Sequence, residues 1–261
     1  ASFGDGAHFD YVDSRALRSQ NLDSLAGKII RINTDGTAPS DNPFYNGSST
    51  ANRSKVYAYG FRNSFRFNFH PVTGILYASD VGWGTWEEVN KVLPGSNYGW
   101  PCREGNGATT YACTANPRVD PVYTYIHDGN GAGSVTGGAF GTAYPAPYAN
   151  TMFFGDYAQN WIKQLNITAS GTLVSVTPFM DGADGADGPV EFIRGLDGNV
   201  YFLSIYTGEL RRILYTSGNR QPLAQLHATP TSGLLPLSVA FSAASSTDPD
   251  GNPLTYLWNF G

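Results

Sequence analysis

Gly74-Ile-Leu-Tyr-Ala-Ser-Asp80, followed across a polar turn by Glu88-Val-Asn-Lys-Val92, reads as a β-hairpin whose two strands differ in kind. The first is apolar almost throughout, as expected of a strand covered on both faces. The second alternates, as expected nearer a rim. The pair recurs as Thr151-Met-Phe-Phe-Gly-Asp156 with Trp161-Ile-Lys-Gln-Leu165, and as Asn199-Val-Tyr-Phe-Leu-Ser204 with Leu210-Arg-Arg-Ile-Leu214. Lys28-Ile-Ile-Arg-Ile-Asn33 supplies a second strand alone, ahead of the turn Thr34-Asp-Gly36. Units that recur every few tens of residues, with variable loops between, point to propeller blades rather than to one sandwich. Roughly three to four blades' worth is fewer than small closed propellers use, so either further blades precede Ala1 or the architecture is another one.

Composition agrees with an all-β chain. Among 261 residues there are 31 Gly, 16 Tyr, 15 Phe and 5 Trp, and only 14% are charged. Long runs of Ala, Leu, Glu and Lys, which helices need, are absent, whereas aromatic and β-branched residues spaced by Gly, Asn, Asp and Pro suit short strands and tight turns. A net charge of −5 argues against a nucleic-acid partner, which would call for clustered Lys and Arg. Nothing approaches the apolar run of a membrane span. The chain opens mid-pattern at Ala1 with no initiator Met, as a mature or trimmed form would. Cys102 and Cys113 lie close together in a Gly- and Asn-rich stretch. Such a pair reads as a disulfide formed in an oxidising compartment, with two free thiols as the alternative.

A boundary is expected after Leu214. Residues 215–222, Tyr215-Thr-Ser-Gly-Asn-Arg-Gln-Pro222, form a polar linker. Residues 223–261 then offer an alternating strand, the turn Asp248-Pro-Asp-Gly251 and Leu254-Thr-Tyr-Leu-Trp-Asn-Phe-Gly261. Two or three strands are too few for a sandwich, so this second domain is expected to be truncated at Gly261.

Several ordered motifs carry a family resemblance. Val56-Tyr-Ala-Tyr-Gly-Phe-Arg-Asn63, Ser79-Asp-Val-Gly-Trp-Gly-Thr-Trp-Glu-Glu-Val-Asn90 and Pro94-Gly-Ser-Asn-Tyr-Gly-Trp-Pro-Cys102 resemble the signature run of the PQQ-dependent glucose/sorbosone dehydrogenases. Gly27–Thr37 with Asp41-Asn-Pro-Phe44 precede this run, and Ser134-Val-Thr-Gly-Gly138 and Phe153-Phe-Gly-Asp-Tyr157 follow it, in that family's order. The resemblance covers residues 1–214. It implies the C-terminal part of a six-bladed β-propeller, with the N-terminal blades absent from this chain and PQQ held over the central axis partly by calcium. The tail resembles the opening of a PKD domain, an Ig-like β-sandwich.

The resemblance also implies site residues. Arg62 and Asn63 occupy the position where family members contact the quinone, and an Arg fork with an Asn donor–acceptor pair suits a planar polycarboxylate. The bland alternative is that Arg62 pairs with a carboxylate at a blade edge. Gly82 and Trp83 stand where backbone carbonyls meet the cofactor's calcium, and Trp83 there departs from the usual Pro. Asp80 lies nearby, and Glu87 and Glu88 read as solvated loop charges. Asp181-Gly-Ala-Asp-Gly-Ala-Asp-Gly188 could wrap calcium, but it reads better as a flexible acidic loop. No catalytic residue is assigned in this chain, because the family's His follows an Asp in a region expected before Ala1. His70 reads as structural, and His127 as a residue near the cleft. Ala158 stands where well-known members carry Lys, and Gly188-Pro-Val190 where they carry Arg-x-Arg.

The expected function is that of a secreted, extracellular or periplasmic, PQQ- and calcium-dependent aldose dehydrogenase that oxidises a sugar hydroxyl. The remainder of the propeller and a sugar or polysaccharide are its partners. The alternative is a non-catalytic carbohydrate- or protein-binding propeller displayed on a PKD-like module, with Trp83, Trp86 and Trp100 as stacking platforms.

Overall fold

The computed structural model describes residues 1–113, 117–216, 218, 222–248 and 250–260. They fall into two units, Ala1–Leu214 and Tyr215–Gly261.

Among the described residues the first unit carries four larger antiparallel sheets in chain order, besides one two-stranded hairpin. Sheet 1 holds β1 (Ser2–Phe3), β2 (Lys28–Ile30) and β3 (Val56–Tyr59). Sheet 2 holds β4 (Ser64–Phe69), β5 (Leu76–Asp80) and β6 (Trp86–Val92). After an excursion carrying the small hairpin β7 (Arg103–Glu104) and β8 (Gly107–Ala108), β9 (Tyr123–Ile126) completes its outer edge. Sheet 3 holds β10 (Val135–Phe140), β11 (Thr151–Asp156), β12 (Trp161–Ile167) and β13 (Leu173–Asp181). Sheet 4 holds β14 (Pro189–Arg194), β15 (Val200–Ser204) and β16 (Glu209–Ile213). The leading strands lie side by side, β1 against β4, β4 against β10 and β10 against β14. Up-and-down sheets that meet along their first strands are arranged as consecutive propeller blades.

Each hairpin read from the repeat is present: Asp80 faces Glu88, Met152 faces Leu165 and Val200 faces Ile213. The leading strands β4, β10 and β14 are additional to those hairpins. In β10 a Cβ on Gly138 would meet the Phe153 carbonyl oxygen at 2.6 Å and Phe154 Cβ at 2.7 Å, so only Gly allows this approach of neighbouring strands. The second strand of the first hairpin is a correction. β6 is buried from Glu87 to Asn90, because β9 pairs along its outer edge and sheet 3 packs on its face.

The core lies between sheets. Tyr77, Val89, Tyr125, Phe140, Phe154 and Leu165 pack between sheets 2 and 3. Ala139, Phe153, Ile162, Phe192 and Phe202 do so between sheets 3 and 4. Burying one such large side chain is worth about 1.5–3 kcal/mol, so these interfaces rather than single sheets stabilise the unit. Lys28, at the start of β2, is fully buried. Its Nζ donates to the carbonyls of Arg18 (3.0 Å), Ser19 (2.7 Å) and Ala26 (2.7 Å), which anchors the 3-10 helix Ser14–Gln20.

In the second unit β17 (His227–Thr229) pairs antiparallel with β18 (Ala240–Ser242), and Leu223 bridges Thr247. Residues 250–260 hold no strand. Four of the eight linker residues, 217 and 219–221, lie outside the described residues, as does Pro249 of the Asp248–Gly251 turn.

Candidate functional site

Asp80 ends β5 at 4% exposure, and it organises the site. Its Oδ2 accepts the Arg62 amide at 2.9 Å and its Oδ1 the Asn63 amide at 2.7 Å, which fixes the backbone just before β4. Two amide donors suit a buried carboxylate, whose remaining cost is desolvation. Burial and the neighbouring Glu88 both push the Asp80 carboxyl well above its usual range.

With its backbone held, Arg62 donates from Nη1 to the Val81 carbonyl at 3.1 Å, and its guanidinium lies 6.0 Å from the Trp100 ring centroid. The Asn63 carboxamide makes no hydrogen bond with the described residues. Trp83, in the β5–β6 connection, meets Trp100 edge-on at 6.0 Å and Tyr111 at 5.8 Å. Its Nε1 donates to the Phe9 carbonyl at 2.6 Å. Trp100 Nε1 donates to Asp5 Oδ2 at 2.8 Å, and the Asp5 amide donates to the Arg62 carbonyl at 2.8 Å. A Cys102–Cys113 disulfide, with its Cα atoms 5.3 Å apart, closes the loop that carries Tyr111. The disulfide expected from sequence is therefore formed.

These contacts bring Arg62, Asn63, Gly82, Trp83 and Trp100 into one patch, with Tyr111 and Asp5 as further members that the sequence left unassigned. Trp100 is 4% exposed and is part of the packing, which corrects its reading as a stacking platform. Glu87 and Glu88 also correct an expectation: neither is a solvated loop charge. Glu87 is fully buried, accepting the Val135 amide at 3.0 Å through Oε2 and facing His127 Nε2 at 2.9 Å through Oε1. That hydrogen bond raises the His127 pKa. Glu88 accepts the Gly105 amide at 2.6 Å, and burial pushes its carboxyl up to about 7.

The other candidates share none of these contacts. Ala158 is exposed in the turn after β11, and Gly188 and Pro189 are buried at the start of β14. His70 is buried against Phe140, its Nδ1 accepting the amides of Val72 and Thr73 at 3.3 and 3.2 Å, a turn-holding role. In the acidic loop, Asp181 Oδ1 accepts the Ala183 amide at 2.8 Å and Asp187 pairs with Arg211 at 2.8 Å. Among the described residues no three His, Cys, Asp or Glu side chains converge as metal ligands. Backbone carbonyls and the Asn63 carboxamide oxygen are neutral oxygens of the type calcium accepts.

Signals for the missed residues were thin. Asp5 lies far from its partner Trp100 in sequence, and Tyr111 lies far from Asp13, whose amide donates to the Tyr111 hydroxyl at 3.0 Å; only the fold closes those distances. Glu104 follows the first half-cystine in a Gly-rich excursion that resembles no strand.

The sequence model of the Glucose / Sorbosone dehydrogenase family matches residues 1–212. An uncharacterized protein of Synechocystis sp. is 31% identical over 225 residues, covering 81% of this chain and 52% of its own. Aldose sugar dehydrogenase YliI of Escherichia coli is 36% identical over 83 residues, 32% of this chain and 22% of its own. The structure of the PQQ-bound form of an aldose sugar dehydrogenase from Streptomyces coelicolor aligns with a TM-score of 0.58 at 26% identity, covering 74% of this chain and 50% of that one. The chain thus spans about half the length of the longest-matching of these relatives, and less of the other curated one. With four blade-like sheets and a family match over nearly all of the first unit, the chain belongs to the glucose/sorbosone dehydrogenase family.

Proposed function

We propose that the protein containing this chain is a PQQ- and calcium-dependent sugar dehydrogenase working outside the cytoplasm, and that this chain forms one side of the cofactor's seat. The finer architecture proposed with it is a six-bladed propeller ending at Leu214, a linker over 215–222 and a PKD-type module starting at 223. One observation carries the reading: Asp80 holds the amides of Arg62 and Asn63, so both side chains emerge from a fixed backbone beside the Trp83–Trp100–Tyr111 cluster. A planar group bearing several carboxylates fits this donor set, because it needs fixed donors at its edge and aromatic surface at its face. Arg62 would bind a carboxylate or quinone oxygen, Asn63 would orient it, and the carbonyls of Gly82 and Trp83 would face calcium. PQQ, when bound, supplies the hydride acceptor for the sugar carbon. The aromatic cluster excludes water from that side. His127 is engaged with Glu87 and His70 with its own turn, and no base is assigned in this chain.

Ala158 and Gly188-Pro-Val190 lower the number of cations available to a polycarboxylate. That observation favours the second reading, a non-catalytic carbohydrate- or protein-binding propeller. Titrating the intact protein with PQQ, with and without calcium, distinguishes the two. Calcium-dependent quenching of tryptophan fluorescence that weakens about tenfold in Arg62→Ala supports the first reading. Absence of PQQ binding at millimolar calcium, with retention of oligosaccharides on an array, supports the second.

A further inference from the structure

Glu104, in β7, is 8% exposed and makes contacts that the site described so far does not use. Its Oε1 accepts four consecutive backbone amides: Trp83 at 2.6 Å, Gly84 at 2.8 Å, Thr85 at 3.0 Å and Trp86 at 3.2 Å. The amide before them, Gly82, donates to Glu87 Oε1 at 3.3 Å. Residues 82–86 are therefore wrapped, N–H first, around two carboxylates. Successive amides converging on one anion form a nest, and here the protein fills the nest itself.

The consequence concerns the opposite side of each peptide. In a trans peptide the C=O points away from the N–H. The Trp83 and Gly84 amides share their peptide planes with the carbonyls of Gly82 and Trp83, and neither bond is cis. Binding both amides to Glu104 turns those two carbonyls outward with their negative ends free of the carboxylate. Gly82 permits the closure, because a Cβ there would fall on the Trp86 carbonyl oxygen.

We infer that Glu104 is a positioning residue: it holds residues 82–86 in the form that presents the Gly82 and Trp83 carbonyl oxygens together to a hard divalent cation. This rests on the calcium-dependent reading above and adds to it the residue that orders the ligands. A carboxylate also attracts a cation through its field, so charge and reach must be separated. Glu104→Gln keeps shape and removes charge, whereas Glu104→Asp keeps charge and shortens reach.

The test uses the intact protein, with terbium luminescence sensitised by Trp83 and competed by calcium, and hydrogen exchange at residues 83–86 without metal. The wild type is expected to protect those amides and bind terbium. Both variants, folded by circular dichroism, are expected to deprotect them and to bind terbium about tenfold or more weakly. Wild-type amides that exchange as fast as open loops would overturn the inference without any variant. So would Glu104→Asp binding terbium like the wild type, since that assigns the effect to charge alone. A wild type that protects the amides yet binds neither terbium nor calcium overturns the calcium reading itself, and with it the cation clause.

Discussion

Asp80, Glu87, Glu88 and Glu104 crowd one end of sheet 2, whereas Asp181, Asp184 and Asp187 lie at the end of β13 and in the connection to β14, and the two groups use the same carboxylate in opposite ways. The first four are buried, and between them they accept backbone amides from residues 62, 63, 82–86, 105 and 135. The second three are more exposed and hold only their own turn and Arg211. The difference lies in the supply of donors. Loops at a blade end carry N–H groups with no strand partner, and a buried carboxylate that collects several of them offsets much of its desolvation. Where the loop is open to water, the acid has no such task and the backbone needs no such acceptor.

The largest test of this contrast is Asp80→Ala. Removing the shared acceptor of Arg62 and Asn63 leaves two amides unpaired, at a cost of about 3 kcal/mol in urea unfolding. A loss below about 1 kcal/mol would show that the buried set is dispensable. Next comes Gly82→Ala, expected to cost about 2 kcal/mol because the Trp86 carbonyl occupies the new methyl's place. Gly84→Ala, with open space around it, serves as the matched control and should leave the melting temperature unchanged.

A smaller effect is expected in the pH dependence of stability. Burial raises Glu88 from 4.5 to about 7 in the folded protein, so between those values the folded state holds a proton that the unfolded chain releases. Its contribution is therefore present at low pH and is lost as pH rises toward 7. Asp80 and Glu87 are raised by burial too and act in the same direction. Asp197 opposes them on the acid side, since its hydrogen bond from Asn199 holds it at about 2 and its contribution is lost only below the usual carboxylate range. The melting temperature should thus fall from pH 5 to 7.5 in the wild type and fall less steeply in Glu88→Gln, by about 2–4 °C per kcal/mol in a chain of this size. An unchanged slope in the variant would remove Glu88 from the account. The smallest effect is predicted for Asp184→Asn, whose exposed side chain should leave the melting curve superimposable on the wild type.

Much of the fold was legible because the central hairpins carry their own pattern. Strands covered on both faces, such as Met152–Gly155, cannot be written in polar residues, and the turns between them need Gly, Asn or Asp; β15 departs from this, since Tyr201 is half-buried and Leu203 exposed. The leading strands escaped because their patterns are atypical: β10 contains Gly137-Gly138, and β14 opens on Pro189 and carries Glu191. In the site, Arg62, Asn63, Gly82 and Trp83 stood out through motif order. Glu87 and Glu88 were misread because two adjacent acids beside a Gly-rich turn look solvated until β9 and sheet 3 cover them.

The sequence alone carried the strand pairs, the disulfide and the family, and it put residues 62–63 and 82–83 forward as candidates; all of these are local in the chain or repeated along it. Only the tertiary structure decided what holds them. Glu104 reaches residues 83–86 from about twenty positions away, Asp5 reaches Trp100 from 95, and Asp80 reaches Arg62 from 18. Such partnerships leave no periodic trace, because a buried carboxylate is specified by the amides that the fold brings to it and not by its neighbours in sequence.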